Sequence, residues 1–146
     1  MSVSPLFPPD APPGTPSGRV TLVCAALLGA LAVAMGAFGA HALQGRLSPA
    51  ALGWYDTAAT YHATHALALF GCGLLAGQPG GRSGARLLRV AALCLATGTV
   101  LFAGSLYLMA FTGWTRLGIV TPVGGLALIV GWLAMAVAAR RRHRVD

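Results

Sequence analysis

Long apolar runs, broken by short segments rich in glycine, proline and arginine, account for most of the sequence. At 1.5 Å per helical residue, about 20 apolar residues cross the roughly 30 Å hydrocarbon core of a bilayer. The runs that reach this length predict membrane spans over residues 20–40, 57–76, 87–111 and 117–139. The pattern therefore predicts an all-α protein, an integral membrane four-helix bundle.

The second predicted helix is longer than a membrane span requires. Ser48 and Pro49 are suited to a helix cap and first turn, so the helix is predicted over residues 50–76. Trp54 and Tyr55 in its first turns suit the membrane interface, where amphipathic aromatic side chains collect. Only the later turns of this helix are therefore assigned to the membrane.

Both ends of the chain differ from the apolar centre. Six prolines fall within residues 1–18, and a segment so rich in proline neither forms a regular helix nor packs well. We therefore expect a disordered N-terminal tail over residues 1–18, a membrane domain over residues 19–140 and a short basic tail over residues 141–146.

Composition supports the membrane assignment. The hydrophobic residues make up 56% of the chain, the charged residues only 9%, and the mean hydropathy is +0.73. A soluble domain carries about 25% charged residues, so the surplus apolar surface must face the lipid bilayer. The net charge of +7 comes from arginines in the gaps between the runs, not from a mixed polar face. No nucleic-acid partner is expected.

The arginines predict an orientation. With both termini in the cytoplasm, the inner side holds Arg19, residues 82–89 with three arginines, and the cluster at residues 140–144, whereas the outer side holds only Arg46 and Arg116. One alternative is a cleaved signal peptide ending at Ala40-His41-Ala42. Signal peptides have apolar regions of about 7 to 15 residues, and the first run is longer, which favours retention of this span.

Small residues recur along one face of the first and fourth helices, where they would let another backbone approach closely. The predicted packing positions are Gly29, Gly36, Gly39, Gly124 and Gly131. These faces suggest that the protein acts by helix packing, either with a membrane-protein partner or with itself as a homo-oligomer.

Several motifs in the four runs resemble one family. They are GAFGAH at residues 36–41, YHATHALA at residues 61–68, GSLY at residues 104–107 and TPVGG at residues 121–125. Together they resemble the bacterial "domain of unknown function 423" family of small inner-membrane proteins, which is itself similar to the eukaryotic transmembrane protein 256. The resemblance covers about residues 19–140. It implies a multi-pass protein of the bacterial cytoplasmic (inner) membrane and implies no activity.

Polar side chains are predicted to gather in the outer half of the bilayer. With the N-terminus inside, His41 lies at the outer interface, while Tyr61, His65 and Tyr107 lie at similar depths on the second and third helices. Tyr61 and His65 also share a face at i, i+4. These four residues are therefore predicted to converge between helices. The simplest interpretation is that His65 stays neutral and joins helices by a hydrogen bond to Tyr107, Ser105 or a backbone carbonyl.

Two further hypotheses give the histidines a chemical role. In the first, His41 and His65, with His62 as a weaker candidate, bind a transition metal or haem. In the second, His65 and Tyr107 form part of a proton relay or small transporter. The resemblance weakens the case for His62, because its position in the family is often glutamine. No serine, histidine and acid converge, so no enzyme is expected. A metal site usually has three or four donors, and no acid or cysteine lies at the depth of the histidines, so no cofactor is expected.

Overall fold

The computed structural model describes residues 16–78 and 82–142, and the regular structure of these residues is entirely helical. The long helices are α1 (Pro16–Ala42), α2 (Pro49–Gly77), α3 (Arg82–Thr112) and α4 (Val120–Arg142), and a short 3₁₀ helix (Thr115–Ile119) precedes α4. The prediction of an all-α protein with four long helices is therefore confirmed.

The predicted tails differ from the structure at their inner edges. Residues 1–15 lie outside the described residues, but residues 16–18 form the first turn of α1 and not the end of a tail. Proline is tolerated in a first turn because its missing N–H would have no partner there. At the other end α4 continues to Arg142, and residues 143–146 lie outside the described residues.

Local signals set the ends of α2 and the turn before it. The Ser48 hydroxyl accepts a hydrogen bond from the Ala51 N–H, and Pro49 occupies the first helical position, as predicted. Gly45 in the preceding turn has a φ of 75°, and Gly113 between α3 and the 3₁₀ helix has a φ of 69°. Glycine adopts this left-handed conformation without the steric cost that a Cβ brings.

Consecutive helices run antiparallel and pack in chain order. Gly18 of α1 lies against Gly77 of α2, while Gly39 near the other end of α1 lies against Tyr55. Along α3, Gly98 meets Leu128 of α4. Helix α1 packs mainly on α2, and α4 mainly on α3, so α2 and α3 form the centre of an open row.

The glycines predicted to pack between helices divide into two groups. A Cβ on Gly39 would strike the Tyr55 ring, and one on Gly124 would strike the backbone of Phe102. Gly131 lies similarly close to Leu95 of α3.

Gly29 and Gly36 do not pack within the chain, contrary to the prediction, because a Cβ on either would meet no atom within 4 Å. The buried stripe of α1 instead follows Ala25, Ala32 and Gly39 at intervals of seven residues.

Three of the described helical segments are long and apolar enough to cross a membrane: Ser17–Ala42, Gly84–Thr112 and Thr115–Arg141. The second predicted span, residues 57–76, is not among them. Its first half carries threonines, a tyrosine, His62 and His65, which lower its hydropathy. The two histidines are buried and face other helices, whereas the threonines and the tyrosine are exposed.

Candidate functional site

The predicted cluster of four polar residues does not form. His41 is exposed at the end of α1, and within the described residues no hydrogen bond or ring contact joins it to Tyr61, His65 or Tyr107. Tyr61 and His65 face the side of α2 toward α4, while Tyr107 lies with His62 on the side toward α1. The prediction failed because α1 and α4 flank the central pair of helices on different sides.

His65 lies in an aromatic cluster between α2, α3 and α4, here called the His65 cluster and formed by Tyr61, His65, Phe102 and Trp132. The His65 ring stacks on Tyr61 with a centroid separation of 5.6 Å, and Tyr61 stacks on Phe102 at 4.3 Å. Trp132 meets the imidazole edge-on at 6.3 Å. Because the Nδ1 atom lies 2.7 Å from the Tyr61 carbonyl oxygen, it must carry the proton and donate it. His65 thus bonds a backbone carbonyl, but one of its own helix, so this hydrogen bond does not join helices as the structural interpretation proposed.

His62, three residues earlier, lines a partly open cavity between α1 and α3, here called the His62 cavity. Its volume is about 200 Å³. Its walls are almost entirely apolar, and the main apolar contributors are Leu28, Leu31, Met35, Val100 and Ala103. The polar side chains that reach it are those of His62, Tyr107 and Thr99.

Two of these polar side chains have no hydrogen-bond partner among the described residues. His62 is only 4% exposed, yet neither of its ring nitrogens makes a hydrogen bond, and the buried Tyr107 hydroxyl makes none either. The backbone of Leu28 on α1 approaches the imidazole from the side of a hydrogen-bond acceptor, but the contact lacks the distance and angle of a formed hydrogen bond. The two rings meet edge to face with centroids 6.1 Å apart. A buried polar group without a partner costs about 1–3 kcal/mol, so this pair requires an explanation.

Neighbouring hydroxyls do not satisfy the pair because they are bonded elsewhere. The Thr99 hydroxyl donates to the Leu95 carbonyl at 2.7 Å, and the Tyr55 hydroxyl donates to the Met35 carbonyl at 2.6 Å. The structure therefore leaves His62 and Tyr107 facing a cavity with unused donors and acceptors.

One glycine keeps the cavity open. Gly104 lies on its wall, and a Cβ added there would meet no atom within 4 Å. A larger side chain at this position would extend into the cavity without displacing a helix. Gly104 therefore offers a way to fill the site selectively.

The structure does not provide the metal site that was considered for His41 and His65. Gly39, close to His41 in sequence, contacts Tyr55, and His65 lies about 15 Å further along α2 at 1.5 Å per residue. Across residues 16–78 and 82–142, no three His, Cys, Asp or Glu side chains come together as a group that could hold a metal ion. His41 and His65 are therefore not a pair of ligands for one metal or haem.

Sequence reasoning ranked His62 below His65, although a signal for its burial was present. Tyr55, Ala58, His62 and Leu69 recur at helical spacing and are all buried. Ser105, one of the partners considered for His65, is paired with Thr121 instead. Their hydroxyls form a 2.8 Å hydrogen bond that joins α3 to α4, away from the His62 cavity.

Comparison with known proteins supports the resemblance. Residues 35–125 match the family described as "Protein of unknown function (DUF423)". The chain is 40% identical over 121 residues to the UPF0382 membrane protein YwdK of Bacillus subtilis, covering 83% of this chain and 96% of that protein. It is 38% identical over 134 residues to the UPF0382 inner membrane protein YgdD of Escherichia coli, covering 88% of this chain and 95% of that protein.

A relative from Staphylococcus epidermidis, the UPF0382 membrane protein SERP0230, is 39% identical over 122 residues, which cover 82% of this chain and 94% of that protein. No solved structure matches the chain. The matched segment includes all of α2 and α3, and hence the whole His65 cluster except Trp132. With near-complete coverage of several relatives, the chain belongs to the DUF423 family of membrane proteins, whose biochemical role is unknown.

Proposed function

We propose that the protein is a four-span protein of the inner membrane with both termini in the cytoplasm. The helix directions support this topology: α1 and α3 each run antiparallel to α2 and hence parallel to one another. If α1 and α3 cross the membrane in the same direction, the chain must cross back between them. Helix α2 connects them and has 29 residues, which is long enough for that crossing. The low hydropathy of α2 is compatible with a span because its histidines pack against protein.

The topology can be tested with single cysteines in a background whose native cysteines are replaced by alanine. A membrane-impermeant thiol reagent added outside the cell should label Gln44→Cys, in the turn between α1 and α2. It should not label Gln78→Cys or Arg140→Cys until the membrane is permeabilised. Labelling of both Gln44→Cys and Gln78→Cys from outside would show that α2 does not cross.

We propose further that the protein acts by binding, not by catalysis, and that it binds a small membrane-soluble molecule in the His62 cavity. One observation carries this proposal. The imidazole of His62 is only 4% exposed, has no hydrogen-bond partner among the described residues and lies beside a cavity of about 200 Å³. A ligand with a polar group would offset the cost of burying that imidazole.

The binding proposal is tested with an apolar probe, durene (tetramethylbenzene), added to the full chain in detergent. Durene uptake above that of protein-free micelles measures specific binding. We expect saturable uptake by the parent and its loss in Gly104→Leu, which fills the cavity. Gly71→Leu is the matched control, because a Cβ at Gly71 also meets no atom within 4 Å and Gly71 does not line the cavity. Equal uptake by both variants, or none by the parent, would contradict the proposal.

A second candidate function is association with another copy of the chain through α1. The supporting observation is that Gly29 and Gly36 are free of contacts within the chain, so that another backbone could approach them closely. Val33 lies between them on the same face of α1 and is 75% exposed, so a cysteine placed there can report such contact. In a background without the native cysteines, oxidation of Val33→Cys in membranes should give a dimer that is lost when Gly36→Leu is added. A dimer that persists unchanged in Gly36→Leu would rule out this surface.

A further inference from the structure

We infer that the ligand of the His62 cavity is an uncharged, one-ring molecule that carries a carbonyl or hydroxyl oxygen, in chemical terms a quinone or phenol headgroup. The inference rests on the proposed binding function and adds the class of ligand. Three properties of the cavity support it: its size, its polar pair and its rings.

The size of the cavity matches one substituted ring. An apolar cavity of about 150 Å³ in a protein interior binds benzene. The His62 cavity, at about 200 Å³, therefore has room for a single ring with small substituents. Its partial opening between α1 and α3 gives such a molecule a route from the surrounding hydrocarbon.

The polar pair selects for oxygen. A neutral imidazole has one N–H donor and one acceptor nitrogen, and the Tyr107 hydroxyl is both donor and acceptor. A carbonyl oxygen on the ligand can accept from both residues, and a ligand hydroxyl can donate to one and accept from the other. No arginine, aspartate or glutamate lines the described cavity. A charged ligand would therefore lie unpaired in an apolar site, at high cost.

The rings that line the cavity favour an aromatic or quinonoid body. His62 and Tyr107 are inclined at 72° to one another, which presents a ring edge and a ring face at one corner. Planar rings pack against such surfaces in edge-to-face or offset geometry, with about 0.5–1.5 kcal/mol per pair beyond the area buried.

The test compares two probes of the same shape, duroquinone (tetramethyl-p-benzoquinone) and durene, on the full chain in detergent. The parent should bind duroquinone more tightly than durene by about 3–10-fold for each hydrogen bond that the quinone oxygen forms. Tyr107→Phe and His62→Phe should each remove most of that preference and leave durene affinity unchanged. Tyr55→Phe is the control, because the Tyr55 hydroxyl is bonded to Met35 and does not line the cavity.

The outcomes separate this inference from the proposal on which it rests. If durene and duroquinone bind equally, the ligand class is wrong and the binding function stands. If neither probe binds, both fail. If duroquinone is preferred equally by the parent, Tyr107→Phe and His62→Phe, it binds elsewhere and the inference is wrong. If either cavity variant weakens both probes alike, its role is structural and the inference is again wrong.

Discussion

His62 and His65 lie on the same helix, three residues apart and both nearly buried, yet their surroundings differ. His65 is stacked on Tyr61, meets Trp132 edge-on and donates from Nδ1 to a carbonyl of its own helix. His62 has no hydrogen-bond partner among the described residues and lines a cavity. The first arrangement pairs one ring nitrogen and packs the imidazole against aromatic side chains, whereas the second leaves both ring nitrogens without a partner beside a cavity.

The difference follows from how the neighbouring helices pack. On the side of α4, Gly124 and Gly131 bring two backbones close enough for Trp132 to meet the imidazole of His65 and for Phe102 to stack on Tyr61. On the side of α1, a gap separates α1 from α3, and Gly104 adds nothing to fill it. Burial of a histidine alone therefore does not distinguish a structural residue from a binding one; the packing around it does.

The largest expected effect contrasts the two glycine environments. Gly124→Ala places a Cβ against the Phe102 backbone and should lower the free energy of unfolding by about 1–3 kcal/mol, because the helices must separate. Gly104→Ala meets no atom and should raise it by about 0.5–1 kcal/mol through helix propensity. Unfolding in mixed micelles with increasing denaturing detergent measures both. Equal effects would show that the two sides of the molecule are packed alike.

The next contrast is between the histidines themselves. His65→Leu should lower the free energy of unfolding by about 1 kcal/mol, because it removes a hydrogen bond and a stacked ring pair. His62→Leu should raise it by about 1 kcal/mol, because an unpartnered polar group is replaced by an apolar one. The same unfolding measurement serves. A loss in His62→Leu as large as in His65→Leu would mean that His62 is structural too.

The smallest contrast removes single hydroxyls. Tyr55→Phe loses the hydrogen bond to the Met35 carbonyl and should cost about 0.6 kcal/mol, the average for such bonds inside membrane proteins. Tyr107→Phe loses no hydrogen bond within the described residues and should leave the stability unchanged or slightly higher. Paired melting curves in one detergent would detect the difference. A Tyr107→Phe variant less stable than Tyr55→Phe would contradict the assignment of a free hydroxyl.

The helices could be predicted from the sequence because span length and turn chemistry are local properties. Apolar runs separated by Gly45 and Ser48-Pro49 require helices that end and restart there, and the structure agrees within a few residues. The composition of α2 is the exception: its histidines and threonines lower its hydropathy, and the burial of the two histidines depends on contacts between helices. No window of sequence reports such contacts.

The site could be predicted only in part, because a helix that is apolar on all sides does not reveal which side meets a neighbour. Gly36 and Gly39 look alike in sequence, but only Gly39 faces Tyr55. Likewise Tyr61 and Tyr107 share a predicted depth, yet they lie on different sides of the central helices. Depth follows from counting residues, whereas direction depends on the order of helices in space.

The central claim, that His62 and not His65 is available to a ligand, is tested most directly by NMR of the imidazole ring nitrogens in the full chain in detergent. The resonances are assigned with His62→Phe and His65→Phe. Addition of duroquinone should shift the resonances of the His62 ring nitrogens and leave those of His65 in place. Durene, which forms no hydrogen bond, should shift the His62 resonances less than duroquinone does and should also leave those of His65 in place. A shift confined to His65, or no shift at either histidine at saturating duroquinone, would contradict the account.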